Sequence, residues 1–325
     1  MTIQPNLSIV IPFLNEEESL PELSSWISDV LDKAGLTFEL ILVDDGSSDR
    51  SWSFVHELTN KDKRVLGIRF LRNYGKSQAL HAGFLRCSGT VVCTMDADLQ
   101  DSPEELPELY KLIVEEGYDM VSGWKKRRFD SYLFKNLPSK VFNWAARRVS
   151  GIHLHDFNCG LKAYRYEVVK TIEVYGEMHR YIPVLAKQAG FRRIGEKVVQ
   201  HQARKYGQSK FGPDRFVKGF LDLITLSFLH KFGRRPMYLF GLVGSVMLLL
   251  GFSFSIYLGV DKLLINPDGR LIADRPQFYV ALTTMILGSQ FFLAGFIAEI
   301  ILRNRDHKLR YKIKEIIPPN YQGNM

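Results

Sequence analysis

Thr90-Val91-Val92-Cys93-Thr94-Met95-Asp96-Ala97-Asp98 decides how the first two thirds of this chain fold. Its first six residues are mostly apolar or β-branched, and six residues is a strand's length, not a helix's. Apolar side chains on both alternating faces imply a strand covered on both sides. The run stops at two carboxylates one residue apart. Moving outward, Val65–Phe70 is a similar run. Phe38–Val43 is another, ending at Asp44-Asp45-Gly46-Ser47. Leu7–Pro12 is the first, closed by a proline and followed by Asn15-Glu16-Glu17-Glu18. There Asn15 is expected to cap a helix whose first-turn acids suit the positive end of its dipole. Helical stretches such as Ser51–Asn60 and Ser77–Cys87 separate the strands. Alternating β and α elements with near-continuous apolar strands predict an α/β domain with a mainly parallel sheet.

Ligands bind such sheets beyond the carboxyl ends of the strands. Here those ends carry Asn15-Glu16, Asp44-Asp45 and Asp96-Ala97-Asp98, so three acidic strand ends converge on one edge. No Gly-x-Gly-x-x-Gly follows the first strand, and no Gly-x-x-x-x-Gly-Lys is present. A diphosphate at this edge is therefore expected to be held through a metal ion rather than on bare backbone amides. Asp96 and Asp98 suit that task, because two hard carboxylates hold Mg²⁺ or Mn²⁺ while phosphate oxygens fill the open positions. Taken alone, Asp-Asp-Gly-Ser is equally at home as a turn with a helix cap. The two motifs at successive strand ends carry the functional reading.

Composition bounds the rest. The 325 residues are 46% hydrophobic with a formal charge of +8, so any membrane part is local. The basic excess clusters beside apolar spans, which points to anionic lipid and not to nucleic acid. Cys87, Cys93 and Cys159 have no metal-ligand spacing and are odd in number, which argues against a disulfide framework and for a cytosolic setting. Residues Met1–Ser8 lack a basic segment and lead into a strand, not a signal peptide.

Met237–Val260 and Gln277–Ala298 contain no charged residue, and each is long enough to cross a bilayer. Before them, Asp214–Phe232 sets Phe216, Val217, Phe220, Leu221 and Ile224 against Asp214, Arg215, Lys218 and Asp222, the pattern of a helix lying at the membrane interface. Lys231, Arg234 and Arg235 precede the first span and six basic residues from Arg303 to Lys314 follow the second, so both termini are expected in the cytoplasm. Gly244 with Gly251 and Gly288 with Gly295 recur at helical spacing and permit association, including a homo-oligomer. The expected organisation is a catalytic domain over residues 1–212, an interfacial helix over 213–235 and spans over 236–260 and 277–302. An extracytoplasmic loop over 261–276 joins the spans, and a basic cytoplasmic tail occupies 303–325.

This combination resembles the polyprenyl-phosphate glycosyltransferases, inverting enzymes with the GT-A fold. The family includes dolichol-phosphate mannose synthase, bactoprenol glucosyltransferases and undecaprenyl-phosphate aminoarabinose transferases. The resemblance rests on Ile9–Glu16, Val43–Asp49, Arg72-Asn73-Tyr74-Gly75-Lys76, Met95–Gln100, Asp156-Phe157-Asn158-Cys159-Gly160 and Arg204-x-x-Gly207-x-Ser209-Lys210, and spans nearly the whole chain. It implies a sugar nucleotide as donor, with UDP and a hexose such as glucose expected, a polyprenyl (undecaprenyl) phosphate as acceptor, and the bacterial inner membrane as location. It also implies roles. Pro12, Phe13, Glu16 and Asp45 would contact the nucleoside, with Asn15, Asn73, Lys76 and Ala97 from the same motifs. Asp96, Asp98 and Gln100 would hold the metal and diphosphate. Asp98 and Asp156 are the catalytic candidates, Asp156 standing where the family has an acceptor-side aspartate often proposed as a base. Arg204, Ser209 and Lys210 would close over the phosphates.

The basic, aromatic run Trp124-Lys125-Lys126-Arg127-Arg128-Phe129 is expected to grip the lipid phosphate, Arg127 and Arg128 above all. Two other readings stay open from the residues. A processive polysaccharide synthase shares the fold, but none of Trp26, Trp52, Trp124 and Trp144 lies in a Gln-x-x-Arg-Trp motif. A membrane scaffold that only binds nucleotide would not need the full set of acidic strand ends.

Overall fold

The computed structural model describes residues 4–126, 143–144, 146–148, 150–174, 176, 178–202, 205–206, 232, 235–303 and 313–318. They fall into two compact units, residues 1–226 with 309–325, and residues 227–308.

The first unit is built on one eight-stranded sheet in the order β7-β5-β6-β4-β1-β2-β3-β8. Its strands are β1 (Leu7–Phe13), β2 (Phe38–Asp44), β3 (Val65–Phe70), β4 (Val91–Thr94), β5 (Met120–Trp124), β6 (Lys162–Arg165), β7 (Ile194–Val198) and β8 (Ile313–Ile317). The four strands expected from apolar runs form its parallel centre, from Leu7 opposite Phe38 and Val91 to Asp44 opposite Arg69. The flanks differ from the expectation of a mainly parallel sheet. β6 is antiparallel to β4 and β5, and β8 is antiparallel to β3, so the sheet is mixed. Antiparallel neighbours need no buried crossover, which is why these short strands lack a continuous apolar run.

Helices α1 (Ser19–Lys33), α2 (Ser51–Lys61), α3 (Lys76–Arg86), α4 (Leu106–Val114), α5 (Tyr166–Thr171) and α6 (Ile182–Gln188) accompany the sheet. α1 shows why they form. Leu20, Leu23, Ile27, Val30 and Leu31 recur every three or four residues, and all are buried. α1 begins at Ser19, with Glu18 at its cap position and no side-chain cap. The expected cap, Asn15, instead adopts φ 55°, a region asparagine tolerates better than most residues, and its Oδ1 accepts the Ser48 amide at 2.9 Å. It ties the end of β1 to the end of β2.

The second unit is a helical hairpin of α7 (Met237–Val260), continued by a π-helical turn over Asp261–Ile265, and α8 (Pro276–Arg303). Both are long and apolar enough to cross a bilayer. Glycine sets their contact. A Cβ on Gly244 would lie 2.6 Å from the Gly288 carbonyl oxygen, and one on Gly251 would lie 2.8 Å from that of Ala281. Gly288 and Gly295 meet α7 equally closely. The glycine faces expected to permit oligomers are thus used within the hairpin itself. In the connecting loop Arg275 is paired with Asp261, and Lys262 donates to the Gly269 carbonyl at 2.7 Å.

Residues 303–325, expected to be a basic tail, contain β8, which returns to the edge of the catalytic sheet. The sequence Ile313-Lys314-Glu315-Ile316-Ile317 alternates too weakly to stand out after a basic stretch. The interfacial helix expected over 213–235 lies outside the described residues apart from Phe232 and Arg235.

Candidate active site

Two turns knit together the ends of β1 and β2. Asp44, fully buried at the end of β2, accepts the Ser47 amide at 2.7 Å through Oδ1 and pairs with Arg69 Nε at 3.2 Å through Oδ2. Ser47 Oγ accepts the Asn15 amide at 2.9 Å, and Ser51 Oγ accepts that of Glu16 at 2.8 Å. Asp45 accepts the Tyr74 amide at 2.7 Å through Oδ1 and the Gly75 amide at 3.0 Å through Oδ2. Its carboxylate braces the Arg72–Lys76 loop, and burial raises its pKa against those two amides. Gly46 makes the approach possible: at φ 85° its Cβ would lie 2.6 Å from the Arg72 carbonyl carbon.

The end of β4 carries the second group. Asp98 Oδ1 accepts the Gln100 amide at 3.2 Å. Asp96 is in direct contact with the Lys76 ammonium from the start of α3. Burial alone would raise the Asp96 carboxyl, but Lys76 and Lys125 outweigh it and hold it down at about 2. Lys125 is half-buried, and its Nζ lies 2.6 Å from the fully buried Asp101. Burial opposes its charge, yet Asp101, the Cys159 thiol and Asp96 raise its pKa. Lys125 is therefore a structural counterion of the acidic edge. Of the basic run Trp124–Phe129, it is the residue turned to Asp101.

The third group precedes β6. Because β6 is antiparallel to β4 with Thr94 opposite Lys162, the Asp156–Gly160 loop lies beside Asp96. A Cβ on Gly160 would sit 2.5 Å from the Asp96 carboxyl, so the approach requires glycine. Asp156 is 1% exposed, and its Oδ1 accepts the Asn158 amide at 3.0 Å. Glu196 of β7 holds this loop. Its Oε1 accepts the His155 amide at 2.7 Å and the Asp156 amide at 3.1 Å, and its Oε2 meets His155 Nδ1 at 2.6 Å. The His155 ring stacks on Trp124 with centroids 4.0 Å apart. Behind Asp96 a cavity of about 10 Å³ is lined by Lys76, Asn158, Lys162, His179 and Arg180 among others. Burial pushes the Lys162 ammonium down, and burial with Lys76 and Arg180 pushes His179 well below the usual histidine range.

The structure thus brings Asn15, Glu16, Asp45 and Lys76 together with Asp96, Asp98, Gln100 and Asp156 at one sheet edge. Phe13 and Ala97 are buried there, Pro12 is half-buried and Asn73 is exposed. Arg127, Arg128, Arg204, Ser209 and Lys210 lie outside the described residues. Sequence reading missed Arg69, Asp101, Lys162 and Glu196. Asp101 was the one within reach, three residues beyond Asp98. Glu196 had no signal, since nothing local marks it as the partner of a loop 40 residues earlier.

The donor set fits a divalent ion. Asp96 is held ionised and already carries a cation, the Lys76 ammonium, and Asp98 follows two residues later. Among the described residues no cluster of three metal-ligating side chains exists, so phosphate oxygens would complete the shell, as suits Mg²⁺ or Mn²⁺.

Residues 8–173 match the family described as Glycosyl transferase family 2. The chain is 34% identical over 322 residues to dodecaprenyl-phosphate galacturonate synthase of Rhizobium johnstonii, covering 98% of this chain and 94% of that one. It is 38% identical over 299 residues to undecaprenyl-phosphate 4-deoxy-4-formamido-L-arabinose transferase of Yersinia pestis, covering 91% and 88%. In fold it is similar to glucosyl-3-phosphoglycerate synthase from Mycobacterium tuberculosis in complex with uridine diphosphate. There the TM-score is 0.53 at 22% identity, covering 70% of this chain and 80% of that one. Fold and site together define a GT-A glycosyltransferase. Within glycosyl transferase family 2, the chain belongs to the polyprenyl-phosphate glycosyltransferases.

Proposed function

We propose that this protein transfers a sugar from a UDP-linked donor to a polyprenyl phosphate, with inversion, at the cytoplasmic face of the bacterial plasma membrane. The observation that carries this reading is the meeting of Asp96 with the Asp156–Gly160 loop, at an approach only Gly160 allows. In this reading Asp96 holds the diphosphate and the loop brings the acceptor-side Asp156 to the same edge. The two curated relatives are named for a uronate and a formamido-pentose, so the expected glucose is one candidate among three sugars.

In this mechanism the acceptor's phosphate oxygen displaces the nucleoside diphosphate at the anomeric carbon in a single step. Asp96 and Asp98 would hold Mg²⁺ or Mn²⁺, and a metal there would supply positive charge against the charge that develops on the leaving diphosphate. Lys76, paired with Asp96, would pass to a phosphate oxygen of the donor. A phosphate monoester has a second pKa of about 6 and is mostly dianionic at neutral pH, so it needs no proton removed. Asp156, buried and hydrogen-bonded, therefore orients the acceptor side rather than taking a proton.

The test uses the full chain in nanodiscs with Mn²⁺ and UDP-sugars. UDP release that depends on both metal and added undecaprenyl phosphate is expected. UDP binding without release under any donor would favour a nucleotide-binding scaffold.

A further inference from the structure

We infer that β8, the strand that follows the second span, positions the donor turn Asp44–Ser47 through Glu315, Trp52 and Arg69. The inference rests on the proposal that this turn and the loops it braces receive the nucleotide.

β8 pairs with β3 so that Ile317 faces Gly67 and Glu315 faces Arg69, with a bulge between Arg69 and Phe70. Bulges re-aim side chains, and this one stands where β3 meets the donor turn. Trp52 of α2 lies across β3 at Gly67, where a Cβ would come within 3.2 Å of its ring. The indole is 7% exposed, and its Nε1–H donates to Glu315 Oε2 at 3.1 Å. On the same ring lies the Arg69 guanidinium, 5.6 Å from the centroid. Arg69 is the residue that grips the turn, through Asp44 at 3.2 Å and through Nη2 to the Ser47 carbonyl at 3.2 Å.

The contacts therefore run in series from Glu315 to the indole, to Arg69, and to Asp44 and Ser47. Glu315 fixes the plane of the indole, since a tryptophan has one polar donor and this is its partner. The indole fixes the guanidinium on its face. Arg69 then holds both ends of a turn whose Asp45 and Ser47 brace Tyr74, Gly75 and Asn15. Without Glu315 the indole is free to rotate, Arg69 loses its platform and the turn loosens. β8 begins ten residues after α8 ends, so the series starts on the segment that follows α8 in the chain.

Two measurements on the full chain in nanodiscs test this. The first is hydrogen exchange without ligand. Glu315→Ala is expected to speed amide exchange over residues 44–51 and 72–76, whereas Glu315→Gln, which keeps an acceptor oxygen, exchanges like wild type. The second is titration with UDP and Mn²⁺. Glu315→Ala and Trp52→Phe are each expected to bind UDP about three- to ten-fold more weakly, the range for one lost hydrogen bond. The double variant is expected to bind no more weakly than either single one, because the residues act in series. The KM for undecaprenyl phosphate stays unchanged. Unchanged exchange in Glu315→Ala, or multiplicative effects on UDP affinity, overturns the inference. If wild type binds no UDP while Glu315→Ala still loosens residues 44–51, the donor assignment fails and the positioning stands.

Discussion

Replacing Lys125 by methionine separates two roles for this residue, counterion of the acidic edge or grip on the lipid phosphate. Asp101 is fully buried, and its carboxyl is already raised by burial against the pull of Lys125. Removing the ammonium 2.6 Å away strands that carboxylate. Breaking one side of a buried pair costs about 3–5 kcal/mol. At roughly 2–4 °C per kcal/mol for a domain of this size, the catalytic unit should melt about 6–20 °C lower. The sign with pH follows from Asp101. Its folded pKa lies above the unfolded value, so its ionised form penalises folding, and the penalty disappears as pH falls and the group is protonated. The gap between wild type and Lys125→Met should therefore narrow from pH 8 to pH 5. Replacing both partners, Lys125→Met with Asp101→Asn, should restore at least half of the lost stability. Thermal melts of the purified protein followed by tryptophan fluorescence read all three. In the double variant the KM for lipid should stay within about two-fold of wild type, since a counterion role involves no contact with the acceptor. A loss below about 1 kcal/mol in Lys125→Met, or a ten-fold rise in lipid KM in the double variant, refutes the counterion role.

Four further outcomes are expected. Asp156→Asn should keep near-normal turnover while Asp156→Ala loses it; if Asn is as inactive as Ala with UDP binding intact, charge or base chemistry at Asp156 is required. Glu196→Ala, which frees the His155 and Asp156 amides, should lower kcat at least ten-fold with little change in donor KM, whereas equal effects on both would argue for general unfolding. Gly160→Ala drives a methyl group into the Asp96 carboxyl and should abolish turnover and weaken Mn²⁺-dependent UDP binding, read by calorimetry. Chelation by EDTA should stop transfer, and either Mg²⁺ or Mn²⁺ should restore it.

The parallel centre of the sheet was legible because β1 to β4 are buried on both faces and must be apolar throughout. The acidic edge followed from it, since strand direction alone brings Asp45, Asp96 and Asp98 together. The two long apolar helices were equally plain, because each is an uncharged run of bilayer-crossing length. What escaped the sequence has a common cause. Glu196, Arg69 and Glu315 act on residues far away along the chain, and each sits on a strand of six residues or fewer with no strong period. Asn15 reads as a helix cap by type, yet the Ser47 and Ser48 partners supplied by the next strand outcompete the helix for it. Lys125 reads as one of a basic cluster, yet it follows β5 directly and pairs with Asp101, which the Asp-x-Asp reading had stopped just short of.

The most direct measurement is the mass of the lipid product. The full chain is incubated with Mn²⁺, undecaprenyl phosphate and, in turn, UDP-glucose, UDP-galacturonate and a UDP-linked formamido-pentose. One donor should yield undecaprenyl phosphate heavier by a single sugar residue, with UDP released in equal amount. Products carrying several sugars, or UDP formed by hydrolysis with the lipid unchanged, would contradict single transfer to a polyprenyl phosphate.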